Sequence, residues 1–396
     1  MNKLRLGVIG IGNQGSNYLK ACANGEFSEA VVTAVADDKP ERLTAAKKIL
    51  PDVECFNTAE ELISSGICDA VVIATPHYFH PTYAIAAMKA GLHALSEKPA
   101  GVYTKQVREA IEFSKTVDLT YAMMFNQRPV GAYKAIRDMV QSGKYGQLRR
   151  VSWIITDWFR TQQYYDSGSW RATWAGEGGG VMLNQCPHQL DLWQWICGMP
   201  NKIRATCHEG KWHDIEVEDD VTIYAEYPNG ATGTFVTTTG DYPGSNRLEI
   251  TLDKARIIHE YDPIQKKFIA RICELEMPSR EFSDTAEGGF SKPSVEWQDI
   301  DVPEGDPTVD KVVNAFAAHI LHGEPLIAEG EEGINGLTIS NAAFLSSWLD
   351  KTVEIPFDED LYLELLNKKI ENSKYVKVTR EQFCEDMNST YGSKRG

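Results

Sequence analysis

Near the start of the chain, Gly10-Ile11-Gly12-Asn13-Gln14-Gly15 and the acidic pair Asp37-Asp38 have the types and spacing to hold a dinucleotide. Gly10 permits a tight turn, Gly12 lets the backbone approach a pyrophosphate, and Gly15 lets a helix pack closely on a strand. The unpaired N–H groups at the start of that helix, with the positive end of its dipole, would face the pyrophosphate. Asp37 would accept hydrogen bonds from the adenosine ribose hydroxyls. A carboxylate there repels a 2′-phosphate and no arginine follows immediately, so NAD is expected over NADP.

A second group with chemical character is the aromatic run from Trp153 to Trp174, which includes Trp158, Phe159, Tyr164, Tyr165 and Trp170. It has no steady period, and Arg160, Gln162, Asp166 and Arg171 are interspersed. Sugar rings present C–H faces to aromatic faces while their hydroxyls need polar neighbours, so this reads as a binding surface for something larger than a bare hexose, a glycoside or a disaccharide. The competing reading is that half of these aromatics are core. Cys186 and His188 are too close together for common helical metal-ligand spacing, and no second pair supports them, so no metal is expected.

The elements that must position these residues follow from periodicity. Leu6–Ile9 and Val31–Ala36 read as buried parallel strands around a helix from Ser16 to Ala23. Pro40 opens a helix to Leu50, and Thr58-Ala59-Glu60-Glu61 is a capping box. Ala70–Ala74, His93–Ser96 and Leu119–Phe125 are further strands, separated by helices from His80 to Ala90 and from Thr104, as cap, to about Val117. This alternation means an α/β, doubly wound parallel sheet. Ligands of such a sheet lie beyond the carboxyl ends of its strands. Thr75-Pro76-His77, Glu97-Lys98-Pro99 and Asn126-Gln127-Arg128 all follow strands and should therefore edge the cofactor cleft.

The pattern then changes. A helix from Pro129 to Gln141, a long strand from Leu148 to Trp158 and a helix after Gly178-Gly179-Gly180 to about Ile196 precede a β-rich run. Hairpins are signalled at Asn229-Gly230 and Asp253-Lys254, so an α+β domain with a large, mostly antiparallel open sheet is expected. Helices over Pro307–His322, Gly333–Leu349 and Asp358–Lys369 and a polar tail complete the chain. The expected division is 1–125 for the dinucleotide domain, 126–355 for the substrate domain and 356–396 for a C-terminal helix and tail.

The 396 residues favour two domains, and the formal net charge of -16 argues against a nucleic-acid surface. No apolar run approaches a membrane span, and Met1-Asn2-Lys3 leads straight into the first strand without a signal peptide. The eight cysteines are scattered, with no CxxC pair, which suggests free thiols in a reducing cytoplasm.

With these pieces in place, the chain resembles the Gfo/Idh/MocA family of NAD(P)-dependent sugar and inositol oxidoreductases. The matching residues are Gly10–Gly15, Asp37, Ala74-Thr75-Pro76 with His80, Glu97-Lys98-Pro99, Asn126-Gln127-Arg128, Gly178–Gly180, and the segment holding Asn184 and His188. The resemblance implies a Rossmann domain followed by an α/β domain whose open sheet often mediates dimers or tetramers. It implies that Lys98 lies near the nicotinamide and the reacting hydroxyl, where an ammonium stabilises a developing alkoxide. His188 would be the general base, with an imidazole that titrates in the right range. Asn184, one helical turn earlier, would share its face, as could Asp191. The family more often has aspartate at position 184; asparagine can orient an imidazole or bond a hydroxyl but cannot transfer a proton. Asn126, Gln127 and Arg128 would lie near the nicotinamide ribose, and Arg171 would be a substrate-loop arginine.

The resulting expectation is an NAD-dependent dehydrogenase acting on a secondary hydroxyl, or the matching ketone, of a sugar, glycoside or cyclitol. Two rivals remain: a glycosidase using tightly held NAD for transient oxidation and elimination, and a non-catalytic dinucleotide and sugar sensor. The substrate contacts expected are Lys98, Trp158, Arg160, Tyr164, Trp170, Arg171, Asn184 and His188. The coenzyme contacts expected are Gly10, Ile11, Gly12, Asn13, Gln14, Gly15, Asp37, Asp38, Thr75, Pro76, His77, His80, Glu97, Lys98, Asn126 and Arg128.

Overall fold

Leu4, Leu6, Val8 and Ile9 are buried on both faces of the first strand, which fits a strand with a neighbour on each side and helices above and below. In the computed structural model, which describes residues 3–302 and 307–379, this strand is β1 (Leu4–Ile9). It leads through α1 (Asn13–Ala23), β2 (Ala30–Ala36), α2 (Pro40–Ile49), β3 (Glu54–Phe56), α3 (Ala59–Ser64), β4 (Ala70–Ile73), α4 (Phe79–Lys89), β5 (His93–Ser96) and α5 (Thr104–Ser114) to β6 (Tyr121–Met123). The six strands are parallel in the order β3-β2-β1-β4-β5-β6. The order reverses between β1 and β4, so a crevice opens beyond their carboxyl ends.

The capping box at Thr58 forms as the sequence predicts, with the Thr58 hydroxyl accepting from the Glu61 N–H and the Glu61 carboxylate accepting from the Thr58 N–H. Thr104 does not cap α5. It is the first helical residue, and its N–H donates instead to Asn341 Oδ1 at 3.1 Å, across 237 residues of chain.

The second half contains α6 (Gly131–Gln141), β7 (Leu148–Ile155), α7 (Gln162–Asp166), α8 (Val181–Asn184), α9 (Pro187–Cys197), β8 (Lys202–Glu209), β9 (Glu218–Glu226) and β10 (Thr232–Thr238). It continues with β11 (Asn246–Leu252), β12 (Ala255–Asp262), β13 (Lys267–Glu274), α10 (Ser279–Thr285), β14 (Trp297–Asp299), α11 (Val309–His322), α12 (Gly333–Leu349), β15 (Val353–Glu354) and α13 (Glu359–Glu371). Its nine strands run β14-β13-β12-β11-β7-β10-β9-β8-β15, antiparallel throughout except for the parallel pair β7 and β10. The helices α6, α9 and α12 cover one face, where Trp153, Trp193, Phe235 and Phe344 are fully buried. The other face exposes Ile154 and Tyr224.

Two features depart from the sequence reading. The helix expected from Gly180 to Ile196 is broken: α8 ends at Asn184 and α9 starts at Pro187, whose ring nitrogen has no hydrogen to continue the ladder. The helix α11, which follows the second sheet in the chain, returns to the first domain. Its Val312, Val313, Phe316 and Ala317 pack with Tyr18 and Leu19 of α1 and the strands beneath. Glu329 then bridges Ala122 beside β6, so the chain crosses between the two sheets more than once.

Of the polar tail, residues 372–379 are described, and the rest lies outside the described residues. Cys384 lies there too; the other seven cysteines are free thiols. Among the described residues, no helix is long and apolar enough to cross a membrane.

Candidate active site

The glycine turn sits at the crevice between β1 and β4. Gly10 has φ +91°, and a Cβ there would lie 2.8 Å from the Ala74 carbonyl. A Cβ on Gly15 would collide with the Gly10 carbonyl, so α1 can approach β1 this closely only through glycine. A Cβ on Gly12 would meet no atom within 4 Å, which leaves open space in front of the α1 N-terminus. That space, bounded by backbone N–H groups and the helix dipole, fits a pyrophosphate.

Asp37 is buried at the end of β2. Its Oδ2 accepts from the Ile11 N–H at 2.6 Å, and its Oδ1 accepts from the Lys39 N–H at 3.0 Å. Arg42, one turn into α2, donates to Oδ2 at 3.1 Å. The sequence reading saw no arginine immediately after the acid; the helix brings one onto it all the same. Asp38 is exposed beside it.

Glu97 follows β5 and is buried. It accepts from Gln14 Nε2 at 2.8 Å and from the Tyr18 hydroxyl at 2.5 Å, and burial raises its pKa against these bonds and the Lys98 charge. The glutamate thereby ties the loop carrying Lys98 to α1. His80, also buried, has Nδ1 2.7 Å from the Pro99 carbonyl and Nε2 2.7 Å from the Thr75 carbonyl. It clamps the ends of two strand-following loops together. Burial lowers its pKa, although both carbonyls favour the protonated ring.

Lys98 itself is half-buried, and its Nζ donates to the main-chain carbonyl of Asn184 at 2.9 Å, across 86 residues. The lysine of the first domain therefore lies against the break between α8 and α9. Burial lowers its pKa, Glu97 opposes this, and Arg171 and Arg160 reinforce it. His188, in the first turn of α9, is buried and meets the Phe125 ring edge-on at 6.3 Å. Burial first, and then the Lys98 charge, hold its imidazole well below the ordinary pKa. It is neutral near pH 7.

Asn184 ends α8, a turn whose start is pinned by Glu218. The two carboxylate oxygens of Glu218 accept from Gly180 and Met182 N–H at 2.7 and 2.9 Å, and burial pushes its pKa up to about 8. The Asn184 amide donates to the buried Glu177 carboxylate, and its Oδ1 accepts from the Tyr164 hydroxyl at 3.3 Å. Tyr164 also receives Arg171 Nη1 at 2.8 Å and Gln185 Nε2 at 2.9 Å. Glu177 also accepts from the Ala172 N–H at 2.7 Å, and burial raises its pKa. Sequence reasoning missed Glu177: an acid before three glycines reads as solvated loop.

Several expected site residues already have partners within the protein. Arg128 is buried under the cleft, with Nε and Nη2 on Asp191 at 2.8 and 2.7 Å and Nη1 on Glu332 at 2.6 Å. Its donors are taken up by these carboxylates, and Asp191 also accepts from Gln194 Nε2 at 3.0 Å. Asn126 is buried, its amide 3.5 Å from the Pro307 carbonyl. Gln127 accepts from Gln189 at 2.8 Å. His77 is buried between the Glu177 carbonyl, 3.0 Å from Nδ1, and the edge of Trp170. The aromatic run divides. Trp153, Tyr165 and Trp174 are core and Trp158 is nearly so, whereas Tyr164 and Trp170 are half-buried and Phe159 is exposed.

The profile described as "Oxidoreductase family, NAD-binding Rossmann fold" matches residues 4–125, and that of the "GFO/IDH/MocA C-terminal domain" matches residues 133–258. The chain belongs to the Gfo/Idh/MocA family. Its first domain is the family's NAD-binding Rossmann domain. The rhizopine catabolism protein MocA of Rhizobium meliloti is 30% identical over 207 residues, 52% of this chain and 61% of that protein. An inositol 2-dehydrogenase of Corynebacterium glutamicum (strain R) is 31% identical over 196 residues, 49% of this chain and 54% of that one. The chain thus spans between half and two thirds of these relatives' length. Among solved structures, the WlbA dehydrogenase from Bordetella pertussis, in complex with NADH and UDP-GlcNAcA, superimposes with a TM-score of 0.74 at 21% identity, covering 90% of this chain and all of that one. A levoglucosan dehydrogenase in complex with NADH gives a TM-score of 0.74 at 18% identity, with the same coverage. At these identities the Gfo/Idh/MocA likeness in structure is one of fold.

Proposed function

We propose that the chain is an NAD-dependent dehydrogenase that oxidises a secondary hydroxyl of a sugar or cyclitol, or reduces the matching ketone. The observation that carries this reading is the 2.9 Å bond from Lys98 Nζ to the Asn184 carbonyl. It brings a cation from the dinucleotide domain to the segment that holds His188, beyond the crevice where the coenzyme fits. The Corynebacterium glutamicum relative is named an inositol 2-dehydrogenase, which agrees with that substrate class.

Gly12, the α1 N-terminus and Asp37 would hold NAD, which when bound supplies the hydride acceptor. In the oxidative direction, the neutral imidazole of His188 takes the hydroxyl proton as the C–H hydride departs. The Lys98 ammonium stabilises the oxygen while it carries alkoxide charge. Asn184 is held by Glu177 and Tyr164, so its remaining amide hydrogen can orient a substrate hydroxyl without moving. The second copy expected in a dimer or tetramer would sit on the exposed face of the nine-stranded sheet. Seven buried or half-buried free thiols suit a reducing compartment such as the cytoplasm.

The test is a panel of sugars and cyclitols with the full chain and NAD, followed at the reduced-nicotinamide absorbance band. Net NADH from at least one polyol, strongly reduced in Lys98→Met, supports the reading. Product formation from a glycoside without net NADH would replace it with the elimination chemistry of a glycosidase.

A further inference from the structure

The substrate side of the cleft holds more positive charge than the redox step uses. The guanidinium carbons of Arg171 and Arg160 both lie over the Tyr164 ring, at 4.5 and 5.2 Å from its centre. Arg171 is also 4.5 Å over Trp170, and Arg160 is 5.7 Å over Trp158. These stacks fix the planes of both groups and leave their edges to bond. Arg171 uses Nη1 on the Tyr164 hydroxyl, and the nearest carboxylate oxygen, on Glu177, is 3.9 Å away, beyond hydrogen-bonding distance. Among the described residues, the Arg160 side chain bonds the main-chain carbonyls of Trp158 and Phe159. The C-terminal tail adds a third cation, Lys377, whose Nζ donates to the Tyr165 carbonyl.

Among the described residues, no carboxylate forms an ion pair with Lys98, Arg160 or Lys377. Acids nearby include Glu97, Glu177, Asp166, Asp157 and Asp219. Glu97 and Glu177 are buried and already hydrogen-bonded, with burial raising the pKa of each, and Asp166 accepts from Gln162. Such a local excess of positive charge stands out in a chain of net charge -16. A half-buried guanidinium with no carboxylate hydrogen-bonded to it is costly, and a neutral sugar hydroxyl answers only part of a planar donor fork. The same Tyr164 hydroxyl that binds Arg171 also donates to Asn184, so these cations are joined to the reacting end of the site through one side chain.

We propose that the sugar taken by this site carries an anionic group, a carboxylate or a phosphate ester, held by Arg171 and Arg160 beside Tyr164. This rests on the dehydrogenase reading and names its substrate class. Lys377, on the tail, closes the positive rim from outside.

The test offers the full chain and NAD matched substrates: D-glucose, D-glucuronate and D-glucose 6-phosphate. At least one acidic sugar is expected to exceed D-glucose by about tenfold or more in kcat/KM, with the margin shrinking as salt is added. Arg171→Gln and Arg160→Gln should bring the ratio towards one while NADH affinity holds, and Arg171→Lys should keep part of it. Preference for the uronate or for the phosphate identifies the anion. Calorimetry of the NADH-loaded chain with the same three sugars gives the answer without turnover. If neither acid is used or bound better than D-glucose, the proposal is overturned, and NADH formed from D-glucose would leave the dehydrogenase reading standing. Acid-selective binding with no NADH from any sugar would instead overturn the dehydrogenase reading alone.

Discussion

The side-chain amide of Asn184 donates to the buried carboxylate of Glu177, seven residues earlier in the chain. Where the family more often has an aspartate, this chain has a neutral amide bonded to the carboxylate of Glu177. The carboxylate decides which way the amide points, and the Tyr164 hydroxyl on Oδ1 agrees with that choice.

Replacing Asn184 by aspartate should therefore harm this protein. Asn184→Asp would set two carboxylates in hydrogen-bonding contact inside the fold, where they cannot both ionise. Breaking a buried pair this way costs on the order of 3 kcal/mol, which would appear as a lower Tm and a fall in kcat. Adding Glu177→Gln restores one donor and one charge, so the double variant should recover most of both. A double-mutant cycle in Tm and kcat measures this, and additive losses would contradict the coupling.

The pH profile of oxidation follows from the Lys98–His188 relationship. His188 must be neutral to accept a proton, so kcat/KM should rise with pH through an imidazole pKa below its ordinary value and then level off. The alkaline limb should come from Lys98 losing its proton below the ordinary lysine range, since burial lowers that pKa. Because the Lys98 charge depresses His188, Lys98→Met should move the acid limb to higher pH, remove the alkaline limb and lower kcat by roughly 10²-fold or more. His188→Asn should remove the acid limb while NAD affinity changes little. An acid limb unmoved in Lys98→Met would separate the two residues.

Coenzyme choice should depend on two residues. Asp37→Ser removes the repulsion of a 2′-phosphate and also releases Arg42 from its 3.1 Å pairing. The freed guanidinium is then placed to meet that phosphate, so NADP use should rise by about tenfold or more relative to NAD. Adding Arg42→Ala should cancel the gain. Equal selectivity in the single and double variants would show that Arg42 does not take part.

Acid stability should register His259, which is buried between the edge-on Tyr133 ring and the stacked Phe268 ring, with Nδ1 3.1 Å from the Ile269 carbonyl. Burial lowers its pKa to about 4 from an ordinary 6.5. The unfolded chain therefore binds the proton first, so stability falls as pH drops from about 6.5 to 4 and loses no more from this group below that. At about 1.4 kcal/mol per pKa unit the whole loss is of the order of 3 kcal/mol. His259→Phe should flatten this part of the Tm–pH curve, and an unchanged slope there would contradict the assignment.

Local chemistry was legible in the sequence because it depends on near neighbours. The glycine spacing after β1, the capping box at Thr58, the turn at Asn229-Gly230 and the alternation of strands with helices all act within a few residues. They were enough to predict both sheets and the coenzyme crevice. Even the break before His188 had its signal in Pro187, although the apolar pattern on either side reads as continuous helix.

What only the tertiary structure decided was which partner each polar or apolar group took. Arg128 follows a strand at the cleft edge, yet Asp191 and Glu332 arrive from distant segments and take its donors. The apolar stripe of Val312, Val313 and Phe316 would suit either sheet, and packing sent it back to the first. Glu177 gained its place only because Asn184 and the Ala172 N–H converge on it in a buried space. A sequence records what a side chain can bond or bury, but several partners of the same chemistry compete for it. The choice among them is made by which arrangement leaves fewest buried charges and polar groups unanswered, and that is a property of the whole packed chain.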